Sequence, residues 1–315
     1  MNPAGALPAR PRRAERGLDG DWVDPSCALC GARARRERFR EGAHAVVECE
    51  GCRLVYVTPR RSARALLMQV YDEGYWRSAR PRERGYADYL GDEERWLATW
   101  RRRFDTLAPH LPAPGRALDV GAAAGFASRV LAERGWRVSA VEPSEPARAR
   151  LLESLGADAL VGRTLDDAEL APASFELVTL FDVIEHLPDP LAALARAREL
   201  LAPGGRLLLE TQNVESRAAR LLGRRWHHYK HAEHLLHFSP ATLGRALAAS
   251  DLALEALYVR GGGKYVAREF LVERSARLAR WLPRVARPLS RLLPRTLWVD
   301  PRDELLVVAR AAEER

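Results

Sequence analysis

Leu118-Asp119-Val120-Gly121-Ala122-Ala123-Ala124-Gly125 decides the fold, because an apolar run ends there in a loop of small residues and a helical pattern follows at once. Small residues let the backbone turn tightly and approach a ligand. The loop does not carry the three glycines that cradle a pyrophosphate, since Ala123 and Phe126 stand at the second and third positions. Asp119 sits just before it, where a carboxylate repels a pyrophosphate but suits a ligand bearing an ammonium and a sulfonium. The next apolar run, Val138-Ser139-Ala140-Val141-Glu142, ends in an acid 23 residues beyond Asp119. An acid in that place can accept hydrogen bonds from both hydroxyls of a ribose.

Outward from this loop the pattern repeats. Residues 117–121, 138–142, 159–162, 177–181 and 206–211 read as strands, with helical periodicity over 125–134, 144–155 and 190–201. Alternation at this spacing predicts a parallel sheet covered on both faces. Ser239 and Pro240 open a further helix as N-cap and first residue. Two more strands are expected at 254–259 and 304–309.

Ahead of this α/β unit the chain changes character. Residues 1–22, with Pro3, Pro8 and Pro11 among arginines, read as a disordered tail, and no apolar centre marks a signal peptide. Residues 23–59 hold Cys27-x2-Cys30 and Cys49-x2-Cys52, two knuckles separated by 18 residues. Four thiolates so placed form the tetrahedron that structural Zn²⁺ prefers, which predicts a zinc ribbon. Residues 60–112 carry Leu66, Leu67, Val70, Trp96, Leu97, Trp100 and Phe104 at helical spacing, the pattern of a helical connector capping the next domain. The remaining 113–315 form the α/β unit, within which 213–300 supply a loop, a helix and a basic insertion.

A net charge of +8 leaves nucleic acid or an anionic surface open as partners, yet 42 acids lie among the 50 bases without a basic block. Nucleic acid is therefore not the favoured partner. No apolar run reaches the roughly 18 residues of a membrane span. The expected location is cytoplasmic, where cysteines serve as metal ligands more often than as disulfides.

Five motifs in order carry a family resemblance: Leu118-Asp119-Val120-Gly121 with Gly125; Val141-Glu142-Pro143-Ser144; Ser174-Phe175-Glu176-Leu177-Val178; Asp182-Val183-Ile184-Glu185-His186-Leu187 with Asp189-Pro190; and Leu201-Ala202-Pro203-Gly204-Gly205-Arg206. Residues from about 117 to 213 resemble the class I S-adenosylmethionine-dependent methyltransferases, in particular the ubiquinone-biosynthesis O-methyltransferase subgroup. The resemblance implies a Rossmann-like sheet of seven strands, the last of them antiparallel. It also implies that Gly121 and Phe181 offer backbone groups to the methionine part of S-adenosylmethionine, with Asp119 near its amino group. Glu142 would hold the ribose, and Pro143 and Leu165 would flank the adenine beside Thr164. Ala122, Gly125, Phe126 and Asp182 complete the implied cofactor set. Ala123 stands where the family often has glycine, and its methyl fits if the backbone angle is ordinary. A ribbon fused to such a domain is similar to that of the deoxysugar C-methyltransferases, where it helps enclose the acceptor.

The segment from Trp226 to Phe238 holds five of the eight histidines and follows the fifth strand, at the sheet edge where ligands bind. Glu233-His234 resembles the acceptor-side motif of the sugar C-methyltransferases, which implies His234 as a base; near its reference pKa it suits base catalysis at neutral pH, with Glu233 orienting it or contacting the substrate. The plainer reading is an exposed polar loop. Asp182, Glu185 and His186, with His231 or His234, could instead hold a divalent metal, or Asp182 and Glu185 could form a capping box. Over 266–298, leucines at helical spacing alternate with arginines; this reads as a lid on its own domain or as a peripheral membrane contact, with Pro283, Pro288 and Pro294 preventing one continuous helix. The expected function is methyl transfer to a small molecule such as a sugar, a lipid-linked or a polyketide-type intermediate. The alternatives are an RNA or protein methyltransferase that docks through the ribbon, and a cofactor-binding regulator without turnover.

Overall fold

The computed structural model describes residues 15–17, 21–69, 73–78, 88–279 and 281–313. Its central sheet contains β1 (Arg116–Val120), β2 (Arg137–Val141), β3 (Leu160–Gly162), β4 (Phe175–Phe181), β5 (Leu201–Gln212), β6 (Leu252–Tyr258) and β7 (Glu304–Ala311). Each lies where the apolar runs place it. The strand order is β3-β2-β1-β4-β5-β7-β6, and β7 runs opposite to the other six. The order reverses between β1 and β4, so a crevice opens beyond their carboxyl ends. Strands covered on both faces must be apolar throughout. Accordingly Leu118, Val120, Leu177, Val178 and Leu180 are all buried.

The flanking helices start where capping chemistry dictates. They are α1 (Glu93–Leu107), α2 (Phe126–Glu133), α3 (Glu145–Leu155), α4 (Pro190–Leu200) and α5 (Pro240–Ala248). Asp189 caps α4 by accepting from the Ala192 amide, and Ser239 and Thr242 close a capping box on α5, with proline at the first position of each. The connector's apolar stripe is α1, whose Leu97, Trp100, Phe104 and Leu107 are buried at three- and four-residue spacing.

The cysteine segment builds a second sheet from Arg35–Glu41, His44–Cys49 and Val55–Thr58, all antiparallel. A fourth strand comes from far along the chain: Leu236–His237 pairs with Tyr56 and Val55. The amide of Val57 donates to the Leu235 carbonyl at 2.9 Å, and Arg245 of α5 donates to the Cys52 carbonyl at 3.1 Å. Cys27, Leu54 and Tyr56 share one continuous core with Leu235, Phe238 and the central sheet.

Two expectations need correction. Part of the expected tail, Glu15–Gly17, is a strand paired with Trp22–Pro25, while 1–14 and 18–20 lie outside the described residues. The insertion between β6 and β7 opens and closes with a hairpin, Lys264–Ala267 against Thr296–Val299, and carries helices Arg268–Leu278 and Leu282–Ser290. Its helices do part, the first ending at Leu278 and the second starting at Leu282, rather than at a proline. Pro283 falls in the first turn, where no amide hydrogen is needed, and Pro288 is accommodated inside the second helix. Among the described residues no helix is long and apolar enough to cross a membrane.

Candidate active site

A cavity of about 370 Å³ lies over the carboxyl ends of β1, β2 and β4. Asp119, Gly121, Ala122, Glu142, Pro143, Thr164, Leu165, Phe181 and Asp182 all border it. Trp76, Tyr89, Trp96 and Trp100 form an aromatic wall opposite the strand ends, and His186 borders it too. Of the implied cofactor residues only Gly125 and Phe126 stand outside. Gly125 takes φ +79° to start α2, and Phe126 is buried with its ring 5.4 Å from that of Tyr89. These two support the wall rather than forming it.

The loop geometry follows from close approach. Gly121 has φ +71°, and a Cβ there would meet Val183 Cγ2 at 2.5 Å. Ala123 has φ +52°, so its backbone angle is not the ordinary one that a methyl tolerates freely. A side chain in the left-handed region costs about 1–2 kcal/mol. The loop carries that strain in place of a glycine.

Two buried carboxylates stand in this cavity, held differently. Asp119 accepts from Ser128 Oγ at 2.5 Å and from Thr179 Oγ1 at 2.6 Å, which fixes it at the mouth of the loop. Burial raises its pKa, and those two hydroxyls oppose the shift. Glu142 lies one residue past β2 and accepts from the amides of Ala123 and Ser144, each at 2.8 Å. Burial pushes it up to about 7 despite those amides. Trp76 Nε1 donates to Ser144 Oγ at 2.7 Å, tying the aromatic wall to the turn that holds Glu142.

The histidine segment is not an exposed loop. Trp226, His228, His231, Glu233, His234 and His237 are all buried between the ribbon sheet and the central sheet. Glu233 and His234 do not border the cavity; His186 does, and its ring packs edge-on against His234 at 4.8 Å. His234 Nδ1 lies 2.8 Å from the His228 carbonyl oxygen, which can only accept. Nδ1 therefore carries the proton and Nε2 the lone pair. The Gln212 amide is also 2.8 Å from Nδ1. Turned so that its oxygen accepts there, its nitrogen donates to Thr211 Oγ1, which donates in turn to Glu185 Oε2. Glu233 does not orient His234 directly. Its Oε1 takes Lys230 Nζ at 2.8 Å and stays 3.8 Å from Nε2, beyond hydrogen-bond range. Nor is His234 near its reference pKa: burial drives it well down, with His186 and Lys230 adding to the fall.

Glu185, His186 and His234 place one ligand atom each within 4.8 Å of one another. Asp182 stands outside that group, and His231 is turned toward Glu41 at 3.3 Å. Asp182 and Glu185 cap no helix, because Glu185 lies inside a short turn, Ile184–His186, whose start has no side-chain cap. His237 has neither ring nitrogen hydrogen-bonded, and burial takes it down to about 3, so it is a neutral packing residue.

Sequence reasoning missed a buried charge cluster behind this region. Arg103 of α1 donates to Glu210 at 2.5 Å, to Glu304 at 3.0 Å and to the carbonyls of Gly262 and Gly263. Burial raises Glu210 well above the usual carboxylate range and Glu304 to about 7, with Arg103 opposing both. No spacing in the sequence links three residues so far apart. The aromatic wall did leave a trace, in the Trp-rich stripe of the connector.

The four cysteines converge as the knuckles require. Cys27 and Cys52 sulfurs are 3.4 Å apart, as are those of Cys30 and Cys49, and all four lie within 4.8 Å of one another. A disulfide needs about 2.05 Å. Zn–S bonds of about 2.3 Å in a tetrahedron put sulfurs about 3.8 Å apart, so the cluster fits a zinc ion. Burial raises the Cys30 thiol to about 11, a cost to ionisation that a bound cation relieves.

The sheet order, the crevice at its reversal and the two carboxylates define a Rossmann-like methyltransferase. The profile of the methyltransferase-domain family matches residues 92–257. The chain belongs to that family and is an S-adenosylmethionine-dependent methyltransferase. It is 35% identical over 170 residues to a ubiquinone biosynthesis O-methyltransferase of Xanthomonas campestris pv. campestris, covering 49% of this chain and 69% of that one. The corresponding protein of Xanthomonas euvesicatoria pv. vesicatoria is 36% identical over the same length and coverage. In fold it is similar to the 1,6-didemethyltoxoflavin-N1-methyltransferase of Burkholderia thailandensis, solved with 1,6-didemethyltoxoflavin and S-adenosylhomocysteine. The TM-score is 0.53 at 18% identity, over 88% of this chain and 100% of that one.

Proposed function

We propose that the chain methylates a small-molecule acceptor presented at the His186 border of the cavity over the ends of β1, β2 and β4, with His234, packed against His186, as the base. S-adenosylmethionine, when bound, supplies an electrophilic methyl group on its sulfonium. The observation that carries the reading is one cavity bordered by Asp119, Gly121, Glu142 and Phe181 at one side and by His186 at the other. In it Glu142 would accept from the ribose hydroxyls, while Gly121, Ala122 and Phe181 face the methionine part with Asp119 at its amino group. Pro143, Thr164 and Leu165 would hold the adenine, and Asp182 borders the region where the methyl points. The aromatic wall excludes water, which favours in-line positioning of the acceptor. His234 would take the acceptor proton by way of His186, which borders the cavity and packs against it, while Gln212 and the His228 carbonyl hold the His234 tautomer.

The ribbon, holding Zn²⁺ on Cys27, Cys30, Cys49 and Cys52, would have a structural role: it supplies the strand on which the histidine segment sits. Its own arginines are partly neutralised within the ribbon. Arg35 pairs with Asp24, and Arg36, Arg38 and Arg53 all pair with Glu48. The reading is tested by following S-adenosylhomocysteine formation against a panel of hydroxyl, amine and carbon acids. Turnover with any of them excludes a non-catalytic regulator. With the acceptor in hand, His234→Ala lowers kcat by about 10²–10⁴ with cofactor affinity kept. A change below about threefold in kcat removes His234 as base.

A second reading is favoured by the approach of Glu185, His186 and His234: a carboxylate and two imidazoles suit a divalent cation. In that case chelation abolishes turnover, a divalent ion restores it, and His234→Ala loses the ion.

A further inference from the structure

We infer that the second helix of the insertion, Leu282–Ser290 with the turn after it, is a docking surface for an anionic bilayer. The reading goes beyond methyl transfer, and the segment lies outside the residues matched by the family profile, 92–257. Trp281, Val285, Leu289 and Leu292 recur at spacings of four, four and three residues, which places them on one side of a helix. A stripe of that kind ordinarily faces the core. Here it faces outward: Trp281 and Leu289 are each 58% exposed, Val285 49% and Leu292 84%, with Leu293 exposed beside them. The helix rests on the protein through the opposite side, where Leu282, Pro283 and Ala286 are half-buried and Ser290 is buried.

The charge says what covers this face. Arg284, Arg287 and Arg291 follow one flank of the stripe and are exposed, with Arg295 beyond them. Between Glu273 and Asp300 the chain has seven arginines and no acidic residue. A second copy of the chain would bring like-charged flanks together, which disfavours a symmetric dimer through this face. A nucleic acid would use the arginines but leave the tryptophan and leucines in water. An anionic membrane satisfies both, with the apolar residues entering the acyl boundary and the guanidiniums meeting headgroups. Only one helix is involved, so the contact is peripheral and reversible. Such a seat favours acceptors carried in or on the bilayer.

Co-sedimentation of the intact protein with vesicles tests this without any need for the acceptor. The protein should bind phosphatidylcholine–phosphatidylglycerol vesicles and not pure phosphatidylcholine, and raising salt should weaken the binding. Leu289→Glu with Leu292→Glu should lower partitioning at least tenfold, since the two leucines otherwise become buried. Arg287→Gln should lower it about fivefold, the equivalent of about 1 kcal/mol per headgroup-facing arginine. Both variants should bind S-adenosylhomocysteine as the parent does, which shows that they fold. Equal binding to neutral and anionic vesicles, no binding to either, or variants that bind like the parent would each overturn the proposal. So would a dimer in sedimentation velocity that Leu292→Glu dissociates, or retention on RNA that Arg287→Gln alone abolishes.

Discussion

Glu142 concentrates the chemistry of the proposed cofactor site in one side chain. It is buried, already accepts two amides, and still titrates near 7 because burial outweighs them. Its folded pKa lies above the unfolded value, so it favours the fold most at acid pH, and that contribution is lost as pH rises through about 7. Ribose hydroxyls donating to it favour the ionised form. Cofactor binding should therefore release protons near and below pH 7, and affinity should rise with pH across that range. Calorimetry in buffers of different ionisation enthalpy reads this directly, and in Glu142→Gln the proton release should vanish. His234 predicts the opposite silence. Held well below its usual range, it is already deprotonated near neutrality and adds no limb to kcat there. At this scale the sequence was legible where a residue ends a strand, as Asp119 and Glu142 do, because strand ends follow from apolar runs. It was silent on burial, so the basicity of His234 and the positive φ of Ala123 emerged only from the packed structure.

Between elements, the ribbon and the histidine segment stabilise one another. Leu236–His237 has its strand partners on Val55–Thr58, so order in the segment depends on the sheet that the cysteine knuckles anchor. Cys49→Ser should lose the zinc measured by elemental analysis and raise hydrogen exchange in 226–238 as well as in the ribbon. Loss of zinc without any change in 226–238 would detach the two. The knuckles were plain in the sequence because ligand spacing is local. Their docking partner was not, since a two-residue strand has no periodicity to detect. The same holds for Arg103, which joins α1 to β5 and β7 through Glu210 and Glu304. Arg103→Met should destabilise the fold by about 3–5 kcal/mol in denaturant titration, because it leaves buried carboxylates without their cation. Adding Glu210→Gln to it should recover part of that loss.

Taken as a whole, the molecule is a methyltransferase sheet with its crevice closed by material from both sides. The connector brings Trp76, Tyr89, Trp96 and Trp100 over the cavity at the strand ends, and the cysteine-bearing sheet backs the histidine segment. The periodicity of the apolar runs exposed the strands, and the family resemblance carried by the five ordered motifs implied the antiparallel last one. The enclosure was less legible, because it depends on contacts between residues more than a hundred positions apart, such as Arg245 with Cys52. The account rests above all on the cofactor occupying the cavity that Glu142 borders. Titration of S-adenosylhomocysteine into the intact protein, at a pH above the Glu142 transition, tests that most directly. One site per chain is expected, with affinity falling well over tenfold in Glu142→Ala, since two charge-assisted hydrogen bonds of about 1.5–3 kcal/mol each are removed. No saturable binding, or equal affinity in a Glu142→Ala protein that retains its circular dichroism, would contradict the account.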